Sequence, residues 1–214
     1  MWDRLDEPWR ACIEEAWAAY RAGSLPIGAV VTDRAGTILA RGRNRIGEGK
    51  AEGRLLCGQR LAHAEVNALI ALDWGATAPE DCVLYTTTEP CPLCAGAVRM
   101  ARLRDVRYAS RDSVAGAAAL FEAIPYMRKG AIAVTGPTDA TLEVALLALL
   151  VEWAMGAAEN MGESATAPWW ERFGEAVPAG LALGQALRAS GDVRRWAAEG
   201  RPAAFAIDRL AEMA

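Results

Sequence analysis

The sequence contains a single histidine, His63, among its 214 residues. It also lacks a hydrophobic run of membrane-spanning length, because its longest apolar stretch, residues 144–151, is far shorter than the roughly 20 residues that a transmembrane helix needs. Residues 1–10 do not show the basic, apolar and small-residue order of a secretory signal. We therefore expect a cytoplasmic protein with no membrane partner, in which any imidazole chemistry depends on His63.

The cysteines do not form a disulfide framework. There are five of them with uneven spacing, which is unlike the pattern of a secreted, disulfide-rich chain. They are Cys12, Cys57, Cys82, Cys91 and Cys94. Cys12 and Cys82 fall within apolar patterns, so they are predicted to be small core residues. Reduced thiols or metal ligands are the interpretations that remain for the others.

Charge is unevenly distributed along the chain. The formal net charge is −4, yet residues 34–60 and residues 99–111 are both rich in arginine. If these stretches meet in space, they could attract phosphate or nucleic acid. The alternative is an ordinary solvated arginine surface, which is as well supported by the sequence. The remainder of the chain is strongly acidic.

Hydrophobic periodicity indicates alternating helices and strands after an initial helix and hairpin. The predicted helices cover residues 2–22, 63–72, 91–102, 114–124 and 141–155, and the predicted strands cover residues 27–32, 37–40, 82–87, 106–109 and 131–135. This order is typical of a three-layer αβα sandwich of the α/β class with a mixed sheet of about five strands. We expect one domain over residues 1–160 and a helical C-terminal extension over residues 161–214, packed on that domain or capping it.

Two short motifs carry the chemistry. His63 is followed two positions later by Glu65, and Pro90 precedes two cysteines, Cys91 and Cys94, that are three positions apart. Cysteines at i and i+3 share one helix face, and a helix N-terminus stabilises thiolates. Two thiolates and one imidazole form a natural zinc set that leaves a fourth position open for water. A neighbouring carboxylate can then act as general base, so the motifs predict hydrolysis.

The chain resembles the zinc-dependent cytidine and deoxycytidylate deaminase superfamily. In particular, it is similar to the branch that contains tRNA adenosine deaminases, guanine deaminases and fungal-type cytosine deaminases. The matching segments are residues 26–30, 44, 63–65, 88–96 and 110–112. The resemblance implies a cytidine deaminase-like fold, a Zn²⁺ cofactor and a homodimer.

The resemblance also implies roles for individual residues. His63, Cys91 and Cys94 would bind zinc, while Glu65 would shuttle protons. Asn44 and Asp112 would contact the substrate. From the sequence alone, Asn44 could instead be a turn residue and Asp112 a helix N-cap.

The sequence leaves three hypotheses for the site and its substrate, of which the second is preferred. A closed structural site would recruit Cys57 or Cys82 as a fourth ligand, as in a non-catalytic zinc-binding interaction protein. The preferred substrate is a free nucleobase or nucleoside, because the extension is not basic. Trp153, Trp169 and Trp170 could close the pocket, or could serve only as packing anchors. In the third hypothesis the substrate is tRNA adenosine or a nucleotide, which would bind through the arginine-rich stretches 34–60 and 99–111.

Overall fold

A computed structural model describes residues 1–49, 53–161 and 169–214. Within those ranges, the strands are β1 (Gly28–Thr32), β2 (Ile38–Arg43), β3 (Val83–Thr88), β4 (Asp105–Ser110) and β5 (Ala133–Thr135). The helices are α1 (Glu7–Arg21), α2 (Ala64–Ala71), α3 (Pro92–Met100), α4 (Leu120–Ala123), α5 (Pro125–Arg128), α6 (Ala140–Met161), α7 (Pro178–Ser190), α8 (Asp192–Ala198) and α9 (Ala203–Met213). Short 3₁₀ helices occupy Trp2–Arg4, Pro79–Asp81 and Trp169–Glu175.

The five strands form one mixed sheet in the order β2-β1-β3-β4-β5. Strand β1 pairs antiparallel with β2, as the predicted hairpin requires. It also pairs antiparallel with β3 on its other side. Strands β3, β4 and β5 are parallel, and their crossovers run through helices. The predicted α/β fold with a mixed five-stranded sheet is confirmed. The carboxyl ends of β3 and β4 therefore lie side by side at one edge of the sheet.

The first face of the sheet is covered by α1, α6 and the C-terminal helices. The apolar stripe of α1 is buried there, with Trp9 packed edge-on against Tyr85 of β3 at 5.0 Å between ring centroids. Trp196 and Leu210 from the C-terminal helices belong to the same core. Gly28 permits the close approach of α1, because a Cβ at this position would lie 2.0 Å from the carbonyl oxygen of Cys12.

The second face is covered by α2 and α3. Small and branched residues such as Ala68, Val98 and Val106 make this core. Gly42 on β2 allows α2 to lie directly on the sheet, because a Cβ there would come within 2.2 Å of the Ala68 amide nitrogen. The helix that follows His63 is thus fixed against the sheet at short range.

The prediction of a helix over residues 114–124 is wrong for residues 114–119. Helical structure begins only at Leu120, and a loop precedes it. Two carboxylates bind the N–H groups of this loop: Asp112 accepts from Val114 and Ala115, and Glu89 accepts from Ala118. These side-chain bonds give the backbone an alternative to the helix.

Helix α6 is long and apolar enough over residues 140–160 to span a membrane by length and composition. Two thirds of that window are buried inside the protein, as in the core helix of a soluble fold. It shares one buried core with Trp9 and Trp17 of α1, and it packs against β4 and α7. Within the described residues, the helix that is long and apolar enough to span a membrane is therefore one that is mostly buried in the protein.

A polar network ties the C-terminal helices to the rest of the chain. Glu152 of α6 is almost fully buried; it accepts a hydrogen bond from the Tyr20 hydroxyl at 2.5 Å and pairs with Arg188 of α7 at 3.1 Å. Glu159 also pairs with Arg188. The division into residues 1–160 and 161–214 stays a prediction, and residues 162–168 lie outside the described part of the chain.

Candidate active site

The two motifs meet at the carboxyl edge of the sheet. His63 occupies the N-cap of α2, and Cys91 occupies the N-cap of α3, with Cys94 in the first turn of the same helix. Pro92 at the first position of α3 fixes a backbone angle suited to a helix start. Because both helices begin at this edge, the imidazole and the two sulfurs converge from opposite sides.

The three donor atoms are spaced as a zinc ion requires. His63 Nδ1 lies 3.5 Å from the Sγ of Cys91 and 3.5 Å from the Sγ of Cys94, and the two sulfurs are 3.6 Å apart. Tetrahedral zinc with ordinary Zn–S and Zn–N bond lengths places its ligand atoms about 3.5–3.8 Å apart. The donor set therefore fits zinc without rearrangement, and the predicted Zn²⁺ cofactor is confirmed.

The protonation of the donors shows how closely they interact. The hydrogen bond between the two sulfurs lowers the pKa of Cys91 to about 4 and raises the pKa of Cys94. The hydrogen bond to Cys91 raises the pKa of His63. A thiolate thus forms readily at Cys91, which is the ionisation state that binds metal.

The cysteines proposed as a fourth ligand are not part of this cluster. Among the described residues, the atoms grouped closely enough to hold a metal come from His63, Cys91 and Cys94. Cys82 precedes β3 and its thiol donates to the Ala78 carbonyl, so it lies at the far end of that strand, about 20 Å along it. Cys57 is partly exposed in the loop before α2. This arrangement favours an open site over a closed structural one.

Glu65 projects from the first turn of α2 beside the ligands. Its side chain is only 4% exposed, and it lines the cavity next to the metal cluster. Burial raises the pKa of the Glu65 carboxyl above its ordinary value. A carboxyl group with a raised pKa takes up and returns a proton more easily near neutral pH than an exposed one.

A cavity of about 180 Å³ opens in front of this cluster. Its wall is mostly apolar and includes residues that are far apart in the sequence, from Leu25 to Phe173. The lining residues are Leu25, Ile27, Asn44, Ile46, His63, Glu65, Thr88, Glu89, Cys91, Asp112, Val114, Ala115, Trp169 and Phe173. The structure therefore brings the two predicted substrate contacts, Asn44 and Asp112, to the same cavity as Glu65.

Asn44 is fixed in one orientation. It is 1% exposed, and its Oδ1 accepts the Ile46 N–H at 3.1 Å. Within the described residues, its amide nitrogen donates to no protein group, so it is available to a ligand in the cavity. The turn interpretation and the substrate interpretation are compatible, because the turn uses only the amide oxygen.

Asp112 is held in a similar way. Its Oδ1 accepts the N–H groups of Val114 and Ala115 at 2.8 and 3.0 Å, which caps a turn that does not continue as a helix. Burial raises the pKa of its carboxyl. The second carboxylate oxygen remains for the cavity.

Sequence reasoning missed Glu89 and Phe173. Glu89 directly precedes Pro90 of the cysteine motif, and that adjacency was the available signal. Its carboxylate accepts the Ala118 N–H at 2.9 Å and the Asp112 N–H at 3.4 Å, so it joins the cysteine loop to the Asp112 loop. Phe173 gave no signal, because only tertiary packing brings residue 173 to the cavity.

The three tryptophans named for pocket closure have different positions. Trp169 lines the cavity and packs edge-on against Phe173 at 5.9 Å between ring centroids. Trp170 is half-buried and packs against the core between α6 and the 3₁₀ helix Trp169–Glu175. Trp153 lines another cavity, beside Tyr20, and its indole N–H donates to the Gly23 carbonyl. Only Trp169 of the three borders the candidate site.

Seven arginines of the arginine-rich stretches pair with carboxylates. Arg43 and Arg45 both pair with Glu48, at 3.1 and 2.7 Å. Further pairs join Arg34 to Asp81, Arg41 to Glu14, Arg102 to Glu80, Arg107 to Asp105 and Arg111 to Glu143. Lys50 and Glu52 lie outside the described residues. The described arginines of these stretches do not line the candidate site cavity.

Comparison with known proteins places the site in a family. The family described as the cytidine and deoxycytidylate deaminase zinc-binding region matches residues 4–110, half of the chain. A guanine deaminase from Bacillus subtilis is 36% identical over 47% of this chain and 60% of its own length. A tRNA-specific adenosine deaminase from the same organism is 37% identical over 50% of this chain and 62% of its own length. The chain thus spans about three fifths of these curated relatives.

One solved structure supports the fold. It is a complex with 2,6-diaminopurine, with 29% sequence identity and a TM-score of 0.51, and the match covers 70% of this chain and 82% of that chain. About 70% of this chain thus matches the fold of a structure that was solved with 2,6-diaminopurine.

Proposed function

The chain belongs to the cytidine and deoxycytidylate deaminase family, and we propose that its substrate is a free nucleobase or nucleoside. Its exocyclic amine would be replaced by oxygen, with release of ammonia. The single observation that carries this proposal is the small cavity in front of the metal cluster, which Trp169 and Phe173 help to line. A space of about 180 Å³ suits one planar ring, and aromatic walls suit its faces.

The attachment of the extension supports a small substrate. The Ser113 hydroxyl donates to the Phe173 carbonyl at 3.4 Å and accepts the Ala176 N–H at 3.0 Å. These bonds fix the 3₁₀ helix Trp169–Glu175 to the loop that carries Asp112. An aromatic wall that is fixed in this way favours a small substrate over a bulky nucleic acid.

The distribution of charge supports the same choice. Nucleic-acid affinity depends on cations that are free to neutralise phosphates. Here Arg43 and Arg45 share Glu48, and Arg111 forms a two-pronged pair with Glu143. These three arginines adjoin Asn44 and Asp112 in the sequence, and because they are already paired they contribute little to phosphate binding beside the candidate site.

The side chains suggest how the reaction would run. The ring would sit between the aromatic wall and the metal ligands, with the Asn44 amide donating to one of its acceptor atoms. Zinc held by His63, Cys91 and Cys94 would supply Lewis-acid chemistry that makes water nucleophilic near neutral pH. Glu65 would take a proton from the attacking water, deliver it to a ring nitrogen, and pass the second proton to the departing amine. The C–N bond breaks as ammonia leaves.

A substrate panel tests the proposal. Purified zinc-loaded protein is assayed for ammonia with free bases, nucleosides, nucleotides and a tRNA anticodon stem-loop. We expect turnover of at least one base or nucleoside, and none in the Glu65→Ala variant. Turnover of the stem-loop alone would favour tRNA adenosine, the activity named for one of the relatives. No ammonia from any substrate would favour a non-catalytic zinc protein. Light scattering on the same sample tests the predicted homodimer.

Glu89 provides a test of how the cavity is held. Glu89→Ala removes the acceptor of the Ala118 and Asp112 N–H groups, so the Asp112 loop loses two of the bonds that position it. We expect kcat/KM to fall about 10–100-fold, since small displacements of positioning groups have effects of this size. Zinc content should stay unchanged.

Glu89→Gln is the matched control, because it keeps one carbonyl oxygen that can accept the Ala118 N–H. We expect this variant to regain most of the activity of the unaltered protein. Equal losses in both variants would show that Glu89 acts through its charge and not by holding the loop.

A further inference from the structure

A small cavity with a cationic wall lies at the end of α3 that is remote from the cysteines. It encloses about 170 Å³. Its charged lining residues are Arg99, Arg102, Arg104, Lys129 and Glu80. Arg99 of this cavity lies five residues after Cys94 on α3, so about 7.5 Å of helix rise separate the cavity from that zinc ligand. The two cavities share no lining residue.

The positive charge of this cavity is only partly neutralised. Glu80 pairs with Arg102 at 2.7 Å. Over residues 1–49, 53–161 and 169–214, no ion pair within 4.0 Å involves Arg99, Arg104 or Lys129. Three cations therefore face one small space in a protein whose formal net charge is −4. Converging cations of this kind attract an anion strongly.

The cavity also has a fixed framework. The Arg99 Nε donates to the Tyr126 carbonyl at 2.9 Å, and its guanidinium lies over the Tyr126 ring at 4.2 Å from the centroid. Gly130 makes room for this side chain, because a Cβ there would lie 2.8 Å from the Arg99 Cδ. The flanking loops each hold a non-glycine residue in the left-handed region, Arg102 at φ 67° and Ala131 at φ 47°.

We propose that this cavity binds the phosphate group of a small anion. Guanidinium groups present several N–H donors that match phosphate oxygens, and an ammonium group adds a mobile positive charge. Arg99 is already oriented, while Arg104 and Lys129 are exposed and free to close on the ligand. The space of about 170 Å³ has room for a phosphate or pyrophosphate group, and a base attached to that group would remain outside. This site does not depend on the proposed deaminase activity.

Direct binding measurements on the zinc-loaded full chain test the proposal. Inorganic phosphate, pyrophosphate, a nucleoside 5′-monophosphate and the matching nucleoside are titrated by calorimetry. We expect saturable binding of pyrophosphate, and the double variant Arg104→Ala/Lys129→Ala should raise its Kd about 10-fold or more, as for loss of a charge-assisted hydrogen bond. The control Arg195→Ala/Arg209→Ala removes two exposed arginines from the C-terminal helices and should change Kd less than about twofold.

The titrations separate the possible sources of the phosphate. Tighter binding of the monophosphate than of inorganic phosphate identifies a phosphate ester as ligand, and the reverse order identifies the free anion. Three results would overturn the proposal. The first is no saturable binding below about 10 mM, and the second is binding that the double variant does not change, as expected for an anion bound at the zinc ion. The third is tighter binding of an RNA oligonucleotide than of pyrophosphate. None of these measurements requires deaminase turnover.

Discussion

Glu65→Gln should lower kcat about 10²–10⁴-fold, the contribution that general acid–base catalysis typically makes. The glutamine side chain has nearly the same shape as glutamate but cannot accept and return a proton. Glu65 is buried beside the metal ligands and its pKa is raised, so no solvent-exposed group can easily replace it. The measurement is kcat on the best substrate of the panel, together with the zinc content of each preparation.

Glu15→Gln is the matched control for this prediction. Burial also raises the pKa of Glu15, but this residue lies on α1 and does not line the cavity. Its variant should keep its activity within about twofold of the unaltered protein. If Glu65→Gln retained more than about a tenth of the activity, Glu65 would not be the proton carrier.

Removal of one zinc ligand should have the second large effect. Cys94→Ala takes one of the three donors from the cluster, leaving a sulfur and an imidazole. Removal of an outer-shell partner lowers metal affinity about 10–100-fold, and we expect Cys94→Ala to lower zinc affinity by more than that. Ammonia release should disappear with the metal. Zinc per chain after dialysis, measured by elemental analysis, gives the result directly.

The same experiment on other cysteines decides between an open and a closed site. Cys57→Ala and Cys82→Ala should both keep zinc and activity, because neither sulfur belongs to the cluster. Loss of zinc in either variant would identify a fourth thiolate and would contradict the catalytic proposal. The stability cost of Cys82→Ala should be small, since the side chain loses only a buried sulfur.

The metal cluster was predictable because its chemistry depends on short-range spacing. Two cysteines three positions apart must share a face of any helix that contains them, and one histidine leaves no competing choice. Asn44 was predictable only through the resemblance. Glu89 and Phe173 required the fold itself, since the first acts through backbone N–H groups more than twenty positions away.

The tryptophans and the arginines show what sequence patterns leave open. Trp153 lies in an apolar helix that is covered on several sides, so the periodicity does not reveal which neighbour each residue meets. Arginine-rich stretches suggested a nucleic-acid surface, but their partners Glu14 and Glu143 come from distant parts of the chain. Local charge is a property of the sequence, whereas its neutralisation depends on tertiary structure.

The aromatic wall of the cavity has a consequence for the order in which the site is built during synthesis. Chains emerge from the ribosome from the N-terminus, and their N-terminal parts begin to fold first. His63, Cys91 and Cys94 all precede Trp169 by at least 75 positions. A nascent chain therefore holds its full set of metal donors while the mouth of the cavity is still open. Metal can therefore bind before Trp169 and Phe173 complete the lining of the cavity.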